Sequence, residues 1–146
     1  MSGGRPSLVQ VREALEHSWS AETAYERALR PGVPALGQCY PTARVLQALF
    51  PVLEIVEGTV WTGSTQEKHF WNLLAVRGRE YHLDLTWQQF PTGSEVRGWH
   101  VRDRECLGDG PRTIERVDLL LRRVKARLAR SDLVEVREGP ASTGAS

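Results

Sequence analysis

Apolar residues recur at three- and four-residue intervals in three stretches of the chain, at about residues 7–18, 39–50 and 113–130. This spacing places the apolar side chains on one face of a helix, so each stretch is predicted to be an amphipathic helix. A further short helix is predicted to open at Ser20 and to continue through Leu29, and breaker residues follow it.

Strand-like patterns occupy the middle of the chain. Residues 53–61 are rich in β-branched and aromatic residues, and Gly58 within them indicates a bulge or a close approach of another group. Residues 69–76 and 80–86 are predicted to pair as a hairpin around Arg77-Gly78-Arg79. The second of these strands alternates cleanly between apolar and polar residues, which indicates one buried and one polar face.

The remaining segments complete the predicted domain. Residues 92–111 have little periodicity and are predicted to form a long loop, while residues 133–136 add a short strand. One domain is expected over residues 1–138, followed by a small, polar, disordered tail at 139–146. The fold class is therefore α+β: N-terminal helices packed on a small antiparallel sheet, with a C-terminal amphipathic helix.

The composition indicates an ordinary soluble domain. The chain has 146 residues, of which 40% are hydrophobic and 25% charged, with a formal net charge of +1. A nearly neutral chain has no overall electrostatic field that would attract nucleic acid or an anionic membrane. The arginine-rich face of the C-terminal helix is most simply explained as a solvent-exposed surface. No apolar run approaches the roughly 20 residues that span a bilayer, and no signal sequence is recognised, so a cytoplasmic location is expected.

Two cysteines occur, Cys39 and Cys106, and only the first lies in a setting that favours reactivity. Cys39 immediately precedes an apolar helical run, and Pro41 is tolerated there because the first helical turn has no intrahelical N–H bonds to lose. The unpaired N–H groups and positive dipole end of such a turn favour a thiolate. No spacing typical of a metal site is found, and no metal or cofactor is expected.

The predicted hairpin brings a histidine and an aspartate onto one face. With a two- or four-residue loop, Val76 pairs with Arg79 and Trp71 with Asp84, so His69 and Asp84 become diagonal neighbours. A three-residue loop would reverse the parity and separate them. The contact therefore depends on the register.

The sequence thus provides the three groups of an activated cysteine nucleophile: Cys39, His69 and Asp84. In such a site the imidazole takes the thiol proton and the carboxylate orients the imidazole. Gln38 is a candidate for the oxyanion pocket, with a structural bond to the loop as the equal alternative, and Trp19 is a candidate for the pocket wall. Each residue also has a structural interpretation: a free cysteine is often a small buried hydrophobe, and a histidine or aspartate can simply bond to its surroundings.

Several motifs of the chain resemble those of the YunG-like family of small bacterial proteins. The residues that carry the resemblance are Ser18-Trp19-Ser20, Glu22-Thr23, Pro34-Ala35-Leu36-Gly37-Gln38-Cys39, Thr42-Ala43, His69, Asn72, Asp84-Leu85-Thr86 and Gln89-Phe90. The glycine-glutamine-cysteine turn with a later histidine and aspartate also resembles the transglutaminase branch of the papain-like superfamily, although Tyr40-Pro41 replaces the small or aliphatic pair typical there.

That resemblance implies a papain/transglutaminase-like fold with Cys39 as nucleophile, His69 as base and Asp84 as orienting acid. It implies a cysteine hydrolase or acyltransferase that acts on an amide, ester or thioester carbonyl of a peptide, a protein or a small molecule. The alternative is a non-catalytic module on the same fold that binds a peptide or small ligand in a toxin, immunity or regulatory system. RNA or DNA binding by the arginine-rich helix is a third hypothesis.

Overall fold

The computed structural model describes residues 5–25 and 35–144. Within these ranges it contains three α-helices, two short 3-10 helices and four strands. The elements are α1 (Leu8–Ser18), α2 (Cys39–Leu49), β1 (Glu54–Trp61), β2 (Gln66–Val76), β3 (Arg79–Leu83), a 3-10 helix (Trp87–Gln89), β4 (Glu95–Val101), a 3-10 helix (Arg104–Cys106) and α3 (Pro111–Gly144).

The N-terminal helix begins where its capping residue predicts. Ser7 Oγ accepts a hydrogen bond from the Gln10 N–H at 3.1 Å, and Gln10 Oε1 accepts one from the Ser7 N–H at 2.8 Å. Two donors that a helix start leaves unpaired are thereby satisfied. The next predicted helix is described only as a turn at residues 21–23, and its continuation through Leu29 lies outside the described residues.

Helix α3 extends beyond its predicted end. Residues 133–136 continue the helix, so the short strand predicted there is wrong. A helix that is already nucleated gains one hydrogen bond for each residue it adds, whereas a lone strand would need a partner. The domain boundary at residue 138 stays a prediction.

All strand pairs in the sheet are antiparallel, in the order β3-β2-β1-β4. The β2–β3 hairpin has the two-residue turn that the site requires, because Val76 pairs with Arg79. Arg77 and Gly78 have φ angles of 51° and 76°, and positive φ at both central positions is typical of a type I′ turn. The predicted register is therefore confirmed.

Strand β4 corrects the prediction of a long loop over residues 92–111. All seven of its residues are exposed, so it lacks the alternation of buried and polar positions by which a strand is recognised in a sequence. Its backbone pairs with β1, with Thr59 opposite Gly98 and an irregularity after Thr59. The strand is thus defined by backbone pairing at the sheet edge and not by burial.

The main hydrophobic core lies where the three helices meet. Its buried residues come from α1, α2, α3 and the residue just before β1: Val11, Ala14, Leu15, Val45, Leu46, Leu53, Leu120 and Val124. A smaller cluster of Tyr40, Ala43 and Ile55 joins α2 to the sheet. Helix α2 is therefore held on two sides, which fixes the position of its first residue, Cys39.

Gly58 is predicted to be essential for the packing of the sheet. A Cβ at this position would lie 2.4 Å from Trp71 Cη2 and 2.8 Å from the Gly98 carbonyl oxygen. We expect Gly58→Ala to lower the free energy of unfolding by about 1–3 kcal/mol, as overpacking does. Urea denaturation measures the loss.

Gly98→Ala is the matched control in the neighbouring strand, because a Cβ there has no atom within 4 Å among the described residues. Its effect should stay within about 0.5 kcal/mol, as at most surface positions. Equal losses in the two variants would contradict the packing assigned to Gly58.

Candidate active site

Cys39 is the first residue of α2, and Gln38 is its N-cap. The first intrahelical bond runs from the Thr42 N–H to the Gln38 carbonyl at 3.0 Å, and Pro41 has no N–H to satisfy. The thiol is partly exposed and lines a cavity of about 660 Å³. A small molecule or a peptide side chain entering this cavity can reach the sulfur.

His69 and Asp84 form the contact that the register predicts. His69 Nε2 lies 2.6 Å from Asp84 Oδ2, across the β2–β3 hairpin. The His69 side chain is 0% exposed and that of Asp84 is 19% exposed. The imidazole is therefore oriented by a carboxylate that is itself still in reach of solvent.

The protonation of His69 is set by opposing influences. Burial disfavours the charged imidazolium, but the hydrogen bond and the charge of Asp84, together with the nearby Cys39 side chain, outweigh it and raise the pKa of His69 from 6.5 to about 9. Because Asp84 already occupies Nε2, the ring nitrogen left for Cys39 is Nδ1. The histidine is thus placed between the acid and the thiol.

Aromatic side chains enclose the imidazole. The rings of Phe90 and Trp71 lie 4.7 and 5.5 Å from that of His69, centroid to centroid, and Trp87 lies at 6.1 Å. Such walls keep water away and lower the local dielectric constant, which strengthens the bond between the imidazole and Asp84.

Thr86 positions Asp84 and was not predicted to have this role. Its N–H and its hydroxyl donate to Asp84 Oδ1 at 3.2 and 3.3 Å, which leaves Oδ2 for His69. Thr86 is buried. The available sequence signal was the spacing Asp-x-Thr, because aspartate side chains often accept hydrogen bonds from the backbone two residues on.

Gln89 is a second residue whose role the sequence did not indicate. Its Nε2 lies 3.1 Å from the Thr86 carbonyl oxygen and 3.4 Å from His69 Nδ1. Gln89 also lines the cavity that exposes Cys39. The 3-10 helix Trp87–Gln89 therefore carries a polar donor to the histidine nitrogen that faces the thiol.

Gln38 makes the structural bond that was the alternative to a place in the oxyanion pocket, and Trp19 does not form the predicted pocket wall. The Gln38 amide is buried: its Oε1 accepts from Thr23 Oγ1 at 2.8 Å and its Nε2 donates to the Ser20 carbonyl at 2.9 Å. Trp19 Nε1 donates to Thr42 Oγ1 at 2.9 Å. Neither side chain lines the cavity, because both hold the 18–25 segment against the start of α2.

Asn72 lies on the face opposite His69, as its strand parity predicts. Its Nδ2 donates to the Ala43 carbonyl at 3.0 Å and to the Glu54 carbonyl at 3.2 Å. The amide thus ties α2 to β1 and β2. This bond helps to fix the helix that carries Cys39.

Tyr40 and Asp109 line the cavity and form a polar cluster with Arg44. The Tyr40 hydroxyl donates to Asp109 Oδ1, and Arg44 Nε lies 2.8 Å from Asp109 Oδ2. Burial, and then the bond to Asp109, raise the pKa of Tyr40 above its ordinary value, so the hydroxyl stays protonated. The cluster fixes residues 107–110 beside Cys39.

The second cysteine, Cys106, is not among the residues that line the cavity. Cys39 and Cys106 are both free, and Cys106 is exposed in the 3-10 helix Arg104–Cys106. In the described part of the chain, no group of three or more His, Cys, Asp or Glu could hold a metal ion. None of the described helices is both long and apolar enough to cross a membrane.

The titration of His69 is a direct test of the geometry. We expect an NMR titration midpoint near 9, well above the ordinary 6.5, and a lower midpoint in Asp84→Asn, which loses the charged acceptor. Because folding raises this pKa, the stabilisation from His69 is fully present below about pH 6.5 and is lost as pH rises through about 9. The His69→Gln variant identifies the signal, and a midpoint at or below 6.5 would contradict the contacts described.

The fold and site together define a class: a small α+β domain with a cavity-lining cysteine at a helix start beside a buried histidine–aspartate pair. The family model described as YunG protein matches residues 7–129, and the chain belongs to that family. Searches of curated proteins and of solved structures gave no match.

Proposed function

We propose that the protein is a cysteine hydrolase or acyltransferase in which Cys39 is the nucleophile, His69 the base and Asp84 the orienting acid. The observation that carries this proposal is the contact of buried His69 with Asp84 at 2.6 Å, together with a nearby Cys39 that influences the pKa of the histidine and lines an open cavity. Such an arrangement is what an activated thiol needs.

The reaction follows from the position of each group. With its pKa raised to about 9, His69 already carries a proton at neutral pH, so Cys39 reacts as the thiolate and its sulfur attacks the carbonyl carbon as the carbonyl electron pair moves to oxygen. The intermediate collapses, its bond to the leaving group breaks, and the imidazolium returns the proton to that group. Water or an amine then attacks the thioester, His69 accepts its proton, and the carbon–sulfur bond breaks.

Asp84 and the helix start provide the electrostatic support for these steps. The carboxylate orients His69 through Nε2, and it stabilises the imidazolium. The Cys39 N–H lies before the first intrahelical bond of α2 and can donate to the developing oxyanion. These roles support a place in the papain/transglutaminase-like superfamily.

The cavity fits a substrate with both apolar and polar groups. Its apolar wall consists of Leu36, Phe70 and Phe90, while Glu67 and Lys68 contribute charge. We therefore propose an amide, ester or thioester of a peptide, a protein or a small molecule as the substrate. The partial exposure of Cys39 favours catalysis over a binding module, in which the thiol could be sealed.

Acylation of Cys39 tests the proposal. The protein is mixed with p-nitrophenyl acetate, nitrophenolate release is followed, and peptide mapping by mass spectrometry locates the acetyl group. We expect a burst of release and acetylation at Cys39, both absent in Cys39→Ala and retained in Cys106→Ala. Slow acetylation of both cysteines at equal rates would favour the non-catalytic binding module.

A further inference from the structure

We propose that Gln89 is a catalytic residue that donates a hydrogen bond from its side-chain amide to the oxyanion formed when Cys39 attacks a carbonyl. This inference rests on the proposed acyl transfer at Cys39 and assigns the donor that Gln38 does not supply. Both polar atoms of the Gln38 side chain are already bonded, to Thr23 and Ser20.

The position of Gln89 brings its amide next to the reacting atoms. Gln89 Nε2 lies 3.4 Å from His69 Nδ1, the same ring nitrogen that remains for the Cys39 thiol. Both Gln89 and Cys39 line the cavity. A carbonyl carbon bonded to the Cys39 sulfur carries its oxygen one bond further on, in the cavity that Gln89 also lines.

The hydrogen-bond inventory of Gln89 leaves one N–H for this purpose. An amide nitrogen has two hydrogens. One is held by Thr86, whose carbonyl oxygen and Oγ1 lie at 3.1 and 3.3 Å, and this fixes the plane of the amide. The other N–H points to His69 Nδ1 at 3.4 Å, which is a long contact and easily exchanged.

The protonation of His69 leaves that N–H available. With its pKa raised to about 9, His69 is an imidazolium at neutral pH, so Nδ1 carries a proton and does not accept the Gln89 N–H. Attack by Cys39 creates negative charge on the carbonyl oxygen of the substrate. The Gln89 amide, already oriented by Thr86, can donate its second N–H to this charged acceptor.

The test compares two reactions at the same sulfur. Acylation by p-nitrophenyl acetate passes through an oxyanion, whereas alkylation by iodoacetamide does not. In Gln89→Met, which keeps the length and removes the donor, we expect acylation of Cys39 to slow by about 10²–10³-fold, the usual loss for one oxyanion donor. Alkylation should change by less than about threefold. Gln88→Met, at an exposed position of the same 3-10 helix, is the matched control and should change neither rate.

The alternatives give different patterns. Parallel loss of acylation and alkylation in Gln89→Met would mean that Gln89 only positions His69, and retention of both rates would mean that it has no role; either result overturns the inference. Thermal unfolding of each variant shows that rates are compared on folded protein. If the wild-type protein itself is not acylated at Cys39, the proposed function fails. This result comes from the wild-type protein alone, so it is distinguished from a failure of the inference about Gln89.

Discussion

Replacing His69 by alanine is expected to slow acylation of Cys39 at neutral pH by about 10²–10⁴-fold, the range that a positioned general base contributes. The reason is the position of the imidazole: Asp84 holds His69 Nε2 at 2.6 Å, and Cys39 lies near enough to influence the pKa of the same ring. Without the imidazole, the thiol proton has to leave to solvent. Burst kinetics with p-nitrophenyl acetate measure the change.

Two controls separate chemistry from folding in this experiment. His69 is fully buried, so His69→Ala also removes packing, and its rates are measured below its own unfolding transition. His100 lies exposed on β4, and His100→Ala should leave the acylation rate unchanged. An acylation rate in His69→Ala within about threefold of wild type would contradict the role of His69 as base.

The second large effect is expected at Asp84. Asp84→Asn keeps the size of the side chain but replaces the charged acceptor of His69 Nε2 with an amide. We expect a loss of about 10²–10⁴-fold in acylation, since the imidazolium loses the carboxylate that stabilises its positive charge and that orients the ring through Nε2. Measured as a function of pH, the rate should also report a lower pKa for His69.

Asp103→Asn is a suitable comparison for this variant. Asp103 caps the 3-10 helix Arg104–Cys106, where its Oδ1 accepts from the Glu105 N–H at 3.0 Å, so the same chemical change is made at an aspartate away from the cavity. Its acylation rate should match wild type. If Asp84→Asn also reacted at the wild-type rate, Asp84 would have only a structural role.

The sequence was sufficient to predict the elements whose burial leaves a periodic pattern. Helices α1 and α2 begin at the predicted residues because Ser7 is a capping residue and Pro41 is confined to a first turn. The contact between His69 and Asp84 was also predictable, since a hairpin register follows from the length of its turn. The prediction of a site with a cysteine, a histidine and an aspartate was based on these two local rules, one for the helix start and one for the hairpin register.

What the sequence did not predict depends on contacts between distant segments. Strand β4 is exposed along its whole length, and its existence depends on pairing with β1, which no local pattern encodes. Of the two roles that the sequence left open for Gln38, the structure shows the structural one, because the turn at residues 20–23 bonds both polar atoms of its amide. The position of the Gln89 side chain could not be predicted, because it depends on the path of the chain after β3.

The most direct measurement is the relative rate at which iodoacetamide alkylates Cys39 and Cys106 within the same wild-type molecule at about pH 6, where an ordinary thiol is thiolate in only about 0.3% of molecules. Mass spectrometry of the two peptides gives the ratio, and the exposed Cys106 serves as the internal standard. An activated Cys39 predicts alkylation at least about tenfold faster than at Cys106, after allowing for the lower nucleophilicity of a stabilised thiolate. Equal rates, or faster reaction at Cys106, would contradict the central claim that this fold activates Cys39.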